Sequence, residues 1–216
     1  LGYAVFWPRL EILDRGVSSF EDPETFIKSF EYLEAISAVD KNRISFVGFS
    51  VGSSIALVAA ENPRINEKLH SLVFFGGYYS LRDYLAALTE KDSAWQPAEG
   101  AVNHLLEIAK EKKWGESFDE LRVAQETQRE IFEKLSPSQN LKNFRARIFI
   151  LHDKNDPYVP YSESIKLDRS LPENIRRSFV LLNLFEHVQP KKEVSRQVIG
   201  ELVKLYGFLY QVFYYF

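Results

Sequence analysis

The residues best suited to chemistry are one serine, a pair of aspartates and two of the four histidines. Ser50 sits in Gly48-Phe49-Ser50-Val51-Gly52, between the apolar, β-favouring run Ile44–Val47 and the helix-forming run Ser53–Leu57. A strand, a sharp elbow and a helix are the context in which two glycines let the backbone bend and push a serine hydroxyl clear of the sheet. The helix start offers free N–H groups, Val51 N–H first, to an oxyanion. The five-residue pattern alone would occur by chance in roughly one chain in fifteen of this length. Its weight therefore depends on an acid and a base in suitable places.

Nucleophilic attack by serine needs a base within reach and a third group that fixes the tautomer of that base. His187 follows the last expected strand, Ser178–Leu182, so it falls at the end of the sheet where the elbow lies. His152 directly follows the expected strand Arg147–Leu151 and could instead brace the loop that carries the acid. His70 begins a strand, at the wrong end, and His104 falls in an expected helix of an insertion. Asp153 and Asp156 share the loop His152-Asp153-Lys154-Asn155-Asp156-Pro157-Tyr158-Val159-Pro160. Asp156, further out and before proline, is favoured as the acid. Asp153 is the alternative, or a residue that caps the turn.

The elements that must position these residues follow from hydrophobic patterning. Tyr3–Trp7 reads as a short strand ended by Pro8. Asp22-Pro23-Glu24 opens a helix with Phe26, Ile27, Phe30, Leu33 and Ile36 on one face. Leu69–Phe75 is a continuous apolar strand ending at Gly76-Gly77. Strands buried on both sides and alternating with helices predict an α/β fold: a mostly parallel sheet with helices on both faces. Residues 78–140 break the rhythm with three amphipathic stretches, Leu81–Leu88, Val102–Lys110 and Phe118–Leu135. They read as a helical lid inserted into a core made of 1–77 and 141–216. Tyr78, Tyr79 and Tyr84, at the start of the insertion, either line an acyl pocket or pack on the core. A helix from Val194 to Phe216 closes the chain, mostly against the sheet. Its aromatic density also suits self-association.

The order Ser50, Asp156, His187 and the loop motifs around them resemble the α/β-hydrolase superfamily. The acid loop is similar to the pattern His-Gly-x-x-Asp-x-x-Val-Pro, with Asp153 where glycine is usual. The resemblance runs from Tyr3 to the last helix, the insertion apart. It implies that Asp156 is the acid of a Ser-His-Asp triad in a serine hydrolase, a carboxylesterase before a peptidase or amidase, with a non-catalytic α/β-hydrolase-like binding protein as the alternative from another class. It also implies early strands and a His-Gly-type loop that supplies a second oxyanion donor. Neither is visible here, so the N-terminal part of the fold is expected upstream, and the second donor is unassigned. Gly52-Ser53 replaces the usual Gly-Gly, which alters the approach of helix to strand.

Composition bounds the partners. The chain of 216 residues is 45% hydrophobic and 26% charged, with a formal net charge of −3. That is a globular composition without the basic excess that nucleic acid requires. It has no cysteine, which excludes disulfides, a thiol nucleophile and cysteine-ligated metals, and no methionine. The expected mechanism needs no metal and no cofactor. The expected partner is a small acyl substrate, and no membrane span is expected. The compartment is left open, with the cytoplasm as the default.

Overall fold

The computed structural model describes residues 2–8, 22–89, 129–190 and 198–216, together with positions 97, 103, 107 and 120. In chain order the principal elements are α1 (Asp22–Ala35), β1 (Ser45–Phe49), α2 (Val51–Ala60), β2 (Ser71–Phe75), α3 (Leu81–Thr89) and α4 (Arg129–Lys134). They continue with β3 (Arg147–Asp153), α5 (Ser162–Ser170), β4 (Arg177–Leu182), β5 (Phe185–Glu186), β6 (Gln189–Pro190) and α6 (Val198–Tyr215).

Strands β1 to β4 form one sheet in sequence order, and every pairing is parallel. The register aligns Phe49 with Phe75 and Phe75 with Leu151, so these strands end level with one another. All five residues of β2 are buried, because it is an inner strand covered on both faces. Alternation sorts the side chains. Leu72, Phe74, Ile148 and Ile150 pack with Ile27 and Phe30 of α1, Leu57 of α2 and Leu167 of α5. Val73, Phe75, Phe149 and Leu151 face the other way, onto Phe208 and Val212 of α6. Each fully buried side chain of this kind contributes about 1.5–3 kcal/mol over its exposed state. A parallel sheet with helices on both faces is therefore present.

Two expectations need correction. Tyr3–Trp7 forms no strand. The segment lies instead on helices: the Tyr3 hydroxyl donates to Phe213 O at 3.0 Å, and Phe6 packs on Tyr32. Without a ladder partner an apolar run gains nothing from extended pairing, and Val5 and Trp7 stay exposed. Helix α6 packs less completely than expected. Phe208 and Val212 are buried, whereas Tyr206, Tyr210, Phe213 and Tyr214 face outward. The helix is apolar nearly all round, but one face suffices to cover the sheet.

Of the expected insertion, Leu81–Thr89 is helical, and so is the Arg129–Lys134 part of the stretch 118–135. The stretch Val102–Lys110, apart from positions 103 and 107, lies outside the described residues, as do residues 194–197 of the expected closing helix.

One buried group lacks compensation. Glu61, the residue after α2, is 2% exposed, and neither carboxylate oxygen has a hydrogen-bond partner among the described residues. Burial pushes its carboxyl well above the usual carboxylate range.

Candidate active site

The elbow is built by the strain its sequence allows. Ser50 has φ 53° and ψ −138°, in the left-handed half of the map that non-glycine residues avoid. Such a conformation costs on the order of 1–3 kcal/mol and persists where the surroundings over-determine it. Here Ser50 N donates to Phe75 O at 2.8 Å, and Ser50 O accepts from Ser53 N at 2.9 Å and Ser53 Oγ at 2.7 Å. The Ser50 hydroxyl does not cap α2, so it is left for other work. Val51 is the first residue of α2, and its N–H is one of the four with no acceptor inside the helix.

The two motif glycines are not equivalent. A Cβ on Gly48 would overlap the backbone of Ser53, so glycine is what lets α2 lie against β1. A Cβ on Gly52 would meet nothing within 4 Å, so its expected steric role is absent. Ser53, where the related pattern has glycine, is accommodated from the opposite side: Gly77 also lacks a Cβ where one would overlap Ser53 Oγ.

The acid and the base come from the ends of β3 and β4. His187 sits at the tip of the two-stranded β5–β6 hairpin, with φ 62°, and its Nδ1 lies 2.6 Å from Asp156 Oδ2. A carboxylate can only accept, so Nδ1 carries a hydrogen, and in the neutral ring the lone pair is on Nε2. Asp156 is buried, and its other oxygen accepts from Tyr158 N at 2.8 Å and Val159 N at 3.0 Å. Burial works to raise its pKa. Hydrogen bonds from His152 and His187, with the charges these rings can carry, outweigh that and hold the carboxyl well below the usual range. The Tyr158 ring lies against His187, with centroids 5.2 Å apart.

Ser50 is linked to this pair through β2. Ser50 bonds to Phe75, and the next residue, Gly76, has φ +66° and packs on the pair. A Cβ placed on Gly76 would lie 3.5 Å from Asp156 Oδ2 and 3.6 Å from His187 Cε1. The structure thus places Ser50 and Val51 after β1, Asp156 after β3 and His187 after β4, all at the C-terminal end of one parallel sheet with β2 between β1 and β3, the end where ligands bind in open α/β sheets.

The remaining histidines and the second aspartate have other surroundings. His152 is fully buried, with Nδ1 2.6 Å from Ser164 Oγ and Nε2 3.0 Å from Val159 O. The carbonyl can only accept, so Nε2 carries a hydrogen, and it also faces Asp156 Oδ2 at 3.3 Å. His152 braces the acid loop. Asp153 is also fully buried. Its Oδ1 accepts from Asn155 N at 2.9 Å, and its Oδ2 accepts from Leu184 N and Phe185 N at 2.7 Å each. It clamps the segment that leads into the His187 hairpin. In the sequence Asp153 could be read only as a residue that caps the turn, because the Leu184 and Phe185 donors it holds are 31 and 32 residues away. His70 stands at the opposite end of the sheet, and His104 lies outside the described residues.

The three tyrosines differ. Tyr78 is 1% exposed and fixed at both ends: its N–H donates to Ser54 Oγ and its hydroxyl donates to Leu135 O. Tyr84 stacks on it, with centroids 5.7 Å apart and planes 4° from parallel. Burial, with a smaller contribution from the Asp156 carboxylate, pushes the Tyr84 phenol upward, so Tyr84 is near enough to feel the acid. Tyr79 packs against the larger core cluster. Its N–H and that of Ser80 both donate to buried Glu163 Oε2 at 3.0 Å, which ties the start of α3 to α5.

No family model and no curated protein sequence matches the chain. Solved structures do. A 2,6-dihydroxy-pseudo-oxynicotine hydrolase superposes with TM-score 0.56 at 20% identity, over 79% of this chain and 42% of its own. Acetyl xylan esterase 1 from Thermoanaerobacterium sp. gives 0.53 at 16% identity, over 87% and 52%. An acylaminoacyl peptidase of Pyrococcus horikoshii gives 0.54 at 18% identity, over 92% and 28%. The chain thus spans about half or less of the length of these three proteins. All three are hydrolases by name, and at this identity what they share with the chain is the fold.

Proposed function

We propose that this chain, which has the α/β-hydrolase fold, is a serine hydrolase whose nucleophile is Ser50, whose base is His187 and whose acid is Asp156. The observation that carries the reading is the 2.6 Å pairing of His187 Nδ1 with Asp156 Oδ2 at the sheet end where Ser50 occupies a strained elbow.

In this reading His187 Nε2 takes the proton from Ser50 Oγ as the oxygen attacks a carbonyl carbon. Asp156 stabilises the imidazolium that results. Val51 N–H donates to the tetrahedral oxyanion. The imidazolium then protonates the leaving alcohol, and the carbon–oxygen bond breaks to give an acyl-Ser50. Water, deprotonated by the same nitrogen, attacks that ester and releases the acid. The insertion 78–140, of which 90–128 lies outside the described residues apart from four positions, is proposed as a cap over this end, and Tyr84, with Tyr78 stacked on it and Tyr79 next in the chain, as the border of the acyl side. The substrate class is a carboxylic ester of small or medium acyl length.

An amide substrate is the second reading, favoured by the acylaminoacyl peptidase likeness. Hydrolysis of p-nitrophenyl acetate and butyrate, set against aminoacyl p-nitroanilides, separates the two. Labelling by a fluorophosphonate probe tests both. Wild-type labelling that Ser50→Ala abolishes supports the nucleophile, and equal labelling of the variant refutes it.

A further inference from the structure

The end of the sheet remote from Ser50 gathers positive charge. Arg43 stands two residues before β1, His70 immediately before β2, Arg147 at the first position of β3 and Arg176 immediately before β4. The ladder sets them side by side: His70 N donates to Ile44 O at 2.9 Å, Arg147 N to His70 O at 3.4 Å and Ile148 N to Arg176 O at 3.0 Å. With Arg145 they line an open cleft of about 710 Å³, together with Asp40, Asn42, Asn174, Tyr214 and Tyr215. Four arginines and a single acidic residue are among the lining residues, in a chain whose formal net charge is −3.

Part of this charge serves the fold. His70 Nε2 lies 2.5 Å from Tyr215 O, and Arg43 Nε donates to Phe216 O at 2.9 Å, so both cap carbonyls at the C-terminal end of α6. Arg147 stacks on the Tyr215 ring, with its guanidinium carbon 3.5 Å from the centroid, and Arg145 reaches Glu67 at 3.4 Å. Arg176 is exposed, and its side chain has no hydrogen-bond or ion-pair partner among the described residues. Packing the helix end accounts for His70 and Arg43. It gives no reason for Arg176 beside Arg147 on neighbouring strand starts.

We propose that this arginine-lined cleft is a binding site for a small phosphate-bearing anion. Guanidinium forks match phosphoryl oxygens in pairs, and several converging forks favour a group with two or more negative charges over a single carboxylate. The volume lies in the range of small-molecule sites and exceeds what one phosphate needs. Nucleic acid is disfavoured by the acidic balance of the chain as a whole. The five residues of β1 separate the cleft from the elbow by roughly 16 Å, so the bound anion is not the molecule that meets Ser50.

Isothermal titration of the chain at low ionic strength with inorganic pyrophosphate, ADP and adenosine tests this. Pyrophosphate and ADP are expected to bind, adenosine is not, and 0.5 M salt should weaken binding at least tenfold. Arg176→Gln should weaken both anions at least fivefold without changing the melting temperature or ester hydrolysis. Ser50→Ala should leave anion binding unchanged. Tighter binding of ADP than of pyrophosphate assigns the rest of the cleft to an organic group, and equal binding assigns the site to the phosphoryl group alone. Absence of binding at millimolar anion, affinity unaffected by Arg176→Gln, or adenosine binding as tightly as ADP overturns the proposal.

Discussion

Exchanging Asp153 and Asp156 for asparagine, one at a time, separates two buried carboxylates three residues apart. Asp153 accepts three backbone N–H groups, two of them from the segment that leads to His187. Asparagine has one accepting oxygen, and its NH2 would face a donor, so at least one buried N–H loses its acceptor. Hydrogen bonds to charged groups are worth about 1.5–3 kcal/mol each, and an orphaned buried donor about 1–3, so Asp153→Asn should cost about 2–4 kcal/mol. For a chain of this size that lowers the melting temperature by roughly 4–16 °C. A loosened hairpin misplaces His187, and a displacement of about 1 Å can cost about 100-fold, so kcat should fall about 10- to 100-fold. Asp156→Asn acts differently. It leaves Tyr158 N and Val159 N an acceptor but removes the charge that fixes the imidazole tautomer, so kcat should fall about 10⁴-fold with a smaller loss of stability. Thermal melts and p-nitrophenyl ester kinetics on both variants provide the comparison. If Asp153→Asn abolishes turnover at an unchanged melting temperature, while Asp156→Asn remains active, the acid has been assigned to the wrong residue.

Three further outcomes follow from the geometry. Ser50→Gly relieves a positive φ that serine adopts at a cost, so it should raise stability by about 1 kcal/mol while abolishing fluorophosphonate labelling, as read by denaturant unfolding and the probe. Gly48→Ala forces a methyl into the Ser53 backbone and should destabilise by about 1–3 kcal/mol or more, whereas Gly52→Ala, which meets open space, should be neutral or slightly stabilising in the same unfolding assay. Glu61 has a folded-state pKa raised above its unfolded value, so its contribution to stability is intact below about pH 4.5 and is lost as pH rises toward the folded value. Glu61→Gln should therefore match the wild type near pH 4 and melt higher near pH 8, and a constant difference across that range would contradict the assignment.

The sequence by itself determined the alternation of buried strands and helices, because that pattern is local: a run such as Leu72–Phe75 states its own burial. It also placed Ser50, Asp156 and His187 after strands, since glycine, proline and polar clusters mark strand ends. It favoured Asp156 over Asp153 as the partner of His187 from position alone, because both lie in one loop motif at the end of β3, and only the tertiary structure decides where each side chain points. Nor could it show that Gly48 and Gly77, rather than Gly52, make room for Ser53, since that is a contact between α2, β1 and the end of β2. Tyr3–Trp7 looked like a strand because apolar β-formers read alike with or without a partner, and only the tertiary arrangement laid them on helices. The arginine cleft was invisible for the same reason. Arg43, Arg147 and Arg176 are scattered through the chain, and only the parallel register brings their strand starts into line.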